Sequence, residues 1–358
     1  MKTTLASLAA LTVAAACSHR PPADFAPDPA LIQRIRAIEL AGPRYACPGH
    51  SFATSYTAVL DDGSRVPFAT RYDRKQPPPL HVVFLERHSP DAIALEDGGW
   101  TPERDPLTTA VTGFRLHARL RANPALGDSL TIAPSYECLR HAFTFTGETS
   151  EDGPDVVIRL GIFRSPFVNR LLVAQLDVAL APPFFVLADA DLVPPSDWLI
   201  VTSEGGSGAR GAKGRDGGRG ANGTPGCPGT NGGAGGRGGD GLRGENGGRG
   251  GRFTIMVPTE EPFLAGLVDA RSPGGEQGPG GAGGAGGAGG RGGAANGTNC
   301  AAGSDGPAGA PGREGPPGSD GSPGGPPQIL TLRQQDVFGA AMPAELRDLL
   351  DYGRRRRP

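Results

Sequence analysis

Aromatic side chains are scarce, at 6% of 358 residues, too few for a base-stacking surface. Neither sign of charge dominates, with 35 basic against 37 acidic residues, so electrostatics give no reason to expect a nucleic acid or an acidic substrate as partner. No two cysteines stand in a C-x-x-C spacing and the six histidines (His19, His50, His81, His88, His117, His141) show no ligand register, which argues against zinc. A nucleophile elbow, a phosphate-binding loop and a dinucleotide fingerprint are also missing. The expectation is a protein without cofactor, metal site or catalytic residues. The alternative is a carbohydrate-binding module or hydrolase in the β-rich part, whose site would assemble in space and leave no local motif.

Long apolar runs are missing too. The longest, Leu5 to Ala16, follows Lys2 and is too short to span a bilayer. It reads as a signal peptide. Its end, Val13-Ala14-Ala15-Ala16-Cys17, resembles the bacterial lipobox, with Ala14 standing where that motif usually has Leu. The resemblance implies cleavage before Cys17 and its acylation. Ser18, where inner-membrane lipoproteins carry Asp, implies sorting to the outer membrane. Four cysteines then remain, an even number for an oxidising compartment. They divide as Cys47 with Cys138 in the ordinary sequence and Cys227 with Cys300 in the glycine-rich sequence.

Five segments follow from composition: a signal peptide (1–17), a Pro-rich tether (18–29), a β-rich globular domain (30–203), a Gly-X-Y region with interleaved strands (204–333), and a C-terminal helix with a basic tail (334–358). Asp28 as N-cap and Pro29 at the first helical position open a helix whose apolar face would be Leu31, Ile32, Ile35 and Ile38, stopped by Gly42 and Pro43. Beyond it the pattern alternates. Phe114, Leu116, Ala118 and Leu120 oppose Arg115, His117, Arg119 and Arg121, the signature of a half-buried strand. Some eight such runs separated by Gly, Pro and Asp turns predict a mainly β fold, an antiparallel sandwich-like domain. Pro343 and the apolar row Leu346, Leu349 and Leu350 predict a last helix before Arg354 to Arg357.

Glycine occupies every third position from Gly205 to Gly250, then from Gly275 to Gly293 and from Gly303 to Gly324. Large apolar residues are almost absent there outside the interlude 252–268, so any order must come without a hydrophobic core. These tracts resemble bacterial collagen-like surface proteins, most closely over Gly306 to Pro327. The resemblance implies a structural or adhesive role at the cell surface and a homotrimeric triple helix. The first tract departs from it, with only Pro225 and Pro228 and with seven of its sixteen triplets carrying a second glycine. An extra glycine stripe suits a polyproline II helix approached by backbone on two sides, as in a bundle. In this the tracts look like glycine-rich antifreeze proteins and some phage adhesin tips.

Cys227 and Cys300 sit at the centres of their tracts, beside the turn-like Asn222-Gly223-Thr224-Pro225 and Asn296-Gly297-Thr298-Asn299. Two hairpins within one chain are therefore expected, their tips joined by that cysteine pair and the molecule monomeric. A homotrimer is the alternative. Gly235 to Arg243 also fits the calcium nonapeptide of β-helical repeats, with Asp240 as ligand, but as one copy whose glycines the three-residue period already explains. The expected partners are the membrane, through the lipid, and an envelope glycan or other anionic surface ligand.

Overall fold

The computed structural model describes residues 21–179, 181–339 and 342–355. Cys17, the signal peptide, and Arg356 and Arg357 lie outside them. No helix among the described residues is long and apolar enough to cross a membrane. The fold is mainly β, and the chain divides into two compact units between Tyr136 and Glu137.

In the first unit, Asp28 caps as expected, its Oδ1 accepting the Ala30 N–H at 2.9 Å. The helix, however, is only Pro29–Arg34, and Ile35–Ala41 is a strand. Ile35 and Ile38 are β-branched, and both bury in the sheet with Ser55–Leu60 and Arg65–Pro67. A second sheet places Leu85–His88 beside Phe114–Leu120 and Asn123–Pro134. The alternation of Phe114–Leu120 is realised in full: its four apolar residues are buried and the residues between them exposed. Phe25, within the stretch read as tether, packs on this unit, 4.9 Å from the Tyr72 ring and 5.1 Å from that of Phe84.

The second unit corrects the expected boundary near Ser203 and the antiparallel sandwich. One sheet joins Ala142–Thr146, Leu199–Glu204 and Val268–Arg271, all parallel. The other aligns Val156–Phe163, Phe253–Pro258 and Gln328–Leu332 in parallel, with Leu171–Val178 and Phe184–Asp189 antiparallel at its edge. Strands on both sides of each glycine tract therefore share sheets and one core, built on Ile158, Leu160, Leu199, Val201, Ile255 and Val257. Parallel neighbours need long connections, and the chain supplies them three times. It passes from the first sheet to the second through residues 147–155, through 205–252, and through 272–327. The C-terminal helix, Ala344–Arg355, buries Leu346 and Leu349 and runs through Gly353 instead of ending there.

Candidate interaction site

The two long connections contain no helix and no named strand. Each runs out and back as two extended arms: one (205–223) and two (229–251), then three (272–294) and four (301–324). Backbone hydrogen bonds tie the arms together at every third residue. Arms one and two run antiparallel, Gly236 N–H donating to Gly218 O at 2.7 Å and Gly239 N–H to Arg215 O at 2.7 Å. Arm one donates to arm three, as from Gly214 to Ala282 O at 2.9 Å, and arm two to arm four, as from Gly238 to Ala310 O at 2.9 Å. Arm three donates back to arm two, Gly284 to Gly239 O at 2.8 Å, and arm four to arm three, Gly312 to Gly284 O at 2.9 Å. Arms one and four share no backbone bond among the described residues.

That pattern accounts for the uneven glycine. Arms two and three each have three neighbours, the outer arms two. In arm three one glycine row, Gly275 to Gly290, has arm-one carbonyls where a Cβ would sit, and a second, Gly280 to Gly292, has arm-four carbonyls. The Gly-Gly-Ala repeat of that arm is thus imposed from two sides. Arm four meets its neighbours along one row and carries Ser, Asp, Pro, Ala, Arg and Glu elsewhere.

Side-chain carboxamides and carboxylates supplement the backbone. Oδ1 atoms of Asp216 and Asn222 accept arm-three N–H groups, and those of Asn231, Asp240 and Asn246 accept arm-four N–H groups, at 2.7 to 2.9 Å. The Asp240 carboxyl titrates below its usual range, first because of the Arg313 N–H. Asp240 Oδ1 also accepts from the Arg237 guanidinium at 3.0 Å, so one oxygen serves both the inter-arm bonding and an ion pair. At the far end, Thr230 N–H donates to Thr224 O at 3.1 Å, and Cys227 is disulfide-bonded to Cys300 with a Cα–Cα separation of 5.1 Å. Cys47 and Cys138 are also disulfide-bonded, which removes them as thiolate ligands.

Outside the arms several aspartates and arginines have local partners. Asp189 Oδ1 accepts the Asp191 N–H and Asp191 pairs with Arg170, while Asp197 occupies a left-handed turn position at φ 55°. On the basic strand Arg115 pairs with Asp91 and Arg119 with Glu86. His117 Nδ1 lies 2.7 Å from Ser129 Oγ, a contact the sequence does not announce. The two face each other across antiparallel strands, so register alone explains it. In the second unit a groove of about 700 Å3 opens at the carboxyl ends of the three parallel strands, lined by Arg164, Arg170, Glu260, Glu261, Arg333 and Arg354. Burial pushes the Glu261 carboxyl upward, and three of the four arginines pair with Asp191, Asp336 and Asp351. No protein-family model, curated protein or solved structure matches the chain.

Proposed function

We propose that this chain is a non-enzymatic, lipid-anchored protein of the cell envelope, held in the outer membrane through Cys17, with a structural or adhesive role. The four arms act as polyproline II helices packed into a monomeric bundle that carries its disulfide-tied tip toward an envelope glycan or another anionic surface ligand. The supporting observation is the five-way hydrogen bonding of the arms. A polyproline II helix has no internal hydrogen bonds, and these inter-arm bonds supply the order that a core would otherwise give. Arms of about twenty residues at ~3.1 Å per residue would set the tip roughly 60 Å from the sheets. The two acyl additions of lipoprotein processing suit stable attachment better than one chain would.

Labelling with palmitate and membrane fractionation of the wild type and Cys17→Ser test the anchor. The wild type should carry label and sediment with outer membranes, and the variant should lose both; unchanged fractionation of the variant overturns it. Binding of soluble Cys17→Ser protein to isolated envelopes, with and without replacement of residues 224–230, tests the tip. Undiminished binding after replacement assigns the contact elsewhere.

A further inference from the structure

The short connection 147–155 repeats the bonding of the long ones in miniature. In arm two, Glu245-Asn246-Gly247 makes three bonds to the arms below it: Glu245 O accepts the Gly278 N–H at 2.9 Å, Asn246 Oδ1 accepts the Ser319 N–H at 2.9 Å, and Gly247 N–H donates to Ser319 O at 2.9 Å. Glu151-Asp152-Gly153 makes the same three to arms one and two: Glu151 O accepts the Gly206 N–H, Asp152 Oδ1 accepts the Arg249 N–H, and Gly153 N–H donates to Arg249 O, each at 2.8 Å. The turn is a single triplet of a further arm, laid in the groove between arms one and two.

Beyond that triplet the groove is open. The glycine row of arm two that faces it reads Gly248, Glu245, Leu242, Gly239, Gly236, Gly233 toward the tip. Gly248 lies under Glu151 O, where a Cβ would strike backbone. Leu242, 62% exposed, and Glu245 show that side chains fit the row where nothing covers it. The equivalent row of arm four, covered throughout by arm two, is glycine at every step from Gly306 to Gly321. Glycine in these rows thus goes with a backbone on top, and Gly239, Gly236 and Gly233 have none. Opposite them the N–H groups of Arg215, Gly218 and Ala221, which correspond to that of Gly206, have no partner among the described residues. The carbonyls of Asp240, Arg237 and Ala234, which correspond to that of Arg249, have none either.

The geometry points to this groove as a docking site for an extended segment of another protein, at least three triplets long, with glycine at every third residue. The segment runs parallel to arm two, takes three N–H bonds from arm one and donates its glycine N–H groups to arm two. Glycine is required of it because the matching arm-two residue, Gly235, has Gly287 O where a Cβ would sit. An acidic or carboxamide residue just before each of its glycines suits the groove, as Asp152 Oδ1, just before Gly153, accepts the Arg249 N–H at 2.8 Å. A second copy does not offer such a surface. In its arm four the positions that correspond to the donor glycines of arm two are Asp305, Ala308, Pro311, Glu314, Pro317, Asp320 and Pro323, and the prolines have no N–H to give; in its arm one the every-third glycine N–H groups already donate to arm three. The lipid anchor plays no part in this docking.

The test is titration of the full chain carrying Cys17→Ser with the synthetic peptide (Gly-Glu-Asn)4, read by calorimetry and by amide hydrogen exchange. Saturable binding is expected, with slower exchange at Arg215, Gly218 and Ala221. The peptide (Ala-Glu-Asn)4, equal in charge, should bind at least about tenfold more weakly. Gly236→Leu, which copies the Leu242 arrangement, should abolish binding while the melting temperature stays within about 3 °C. No binding, equal binding of the alanine peptide, or full binding by a folded Gly236→Leu protein would each overturn the proposal.

Discussion

The Oδ1 atom of Asn231 accepts the backbone N–H of Ser304 at 2.8 Å, while the next residue, Gly232, donates its N–H to Ser304 O at 2.9 Å. One residue of arm four is gripped at both backbone groups by two adjacent residues of arm two. Asn231→Ala removes the side-chain half of that grip and should cost about 1 kcal/mol in denaturant unfolding. Asn231→Asp keeps the acceptor and should cost less. Equal losses in the two variants would show that the acceptor is not what stabilises the contact.

Neighbouring glycines should differ sharply. A Cβ on Gly238 would fall on Gly284 O, backbone that cannot step aside, whereas one on Gly239 would lie 3.2 Å from Arg215 N at an open groove. Gly238→Ala should lower stability by about 3 kcal/mol or more, as an overpacking change in a rigid lattice does. Gly239→Ala should stay within about 1 kcal/mol. The comparison is made by urea midpoints at a common slope, and the reverse order would refute the assignment of the rows.

The tip disulfide spans 73 residues. On the chain-entropy model, Cys227→Ser with Cys300→Ser should destabilise by up to about 4 kcal/mol. Opening should start at the tip, so the amides of Gly226 and Gly293 are expected to exchange faster before those of Gly208 and Gly278. Uniform acceleration along the arms would instead mean that the bundle opens as one unit.

Acid should weaken both units. Burial lowers the pKa of His81 in the first unit and of His141 in the second. In both cases the folded state prefers the neutral ring and the unfolded chain takes up the proton first. Their contribution is intact above the ordinary histidine pKa, about 6.5, and shrinks as pH falls from there toward the lowered folded values. The urea midpoint should therefore fall between pH 7 and pH 5, and His141→Gln should flatten that fall for the second unit. A variant with the same pH dependence as wild type would remove His141 as its source.

Local signals were legible in proportion to how local their causes are. The half-buried strand Phe114–Leu120 follows from a two-residue period, and the cap at Asp28 from a side chain bonding two residues away. The helix after that cap is shorter than its pattern predicts, since Ile35 and Ile38 fit a helical face as well as a strand and only the neighbouring Ser55–Leu60 decides between them. The unit boundary at Tyr136/Glu137 was not legible, because Val156–Phe163 finds its parallel partner Phe253–Pro258 across a whole glycine tract. The groove between arms one and two was equally hidden. Its mark in the sequence is three glycines whose meaning depends on which arm lies over them.

The lattice also restricts how this protein can change length. Because arms one to four are bonded in register at every third residue, one inserted residue would rotate everything beyond it out of phase, and one inserted triplet would leave an arm longer than its partners. The smallest insertion that keeps both the register and the joined tips is one triplet in each of the four arms, twelve residues at four separate places in the gene. Drift in arm length is therefore blocked one step at a time, and two such proteins with bundles of different reach are separated by a jump in which all four arms move together.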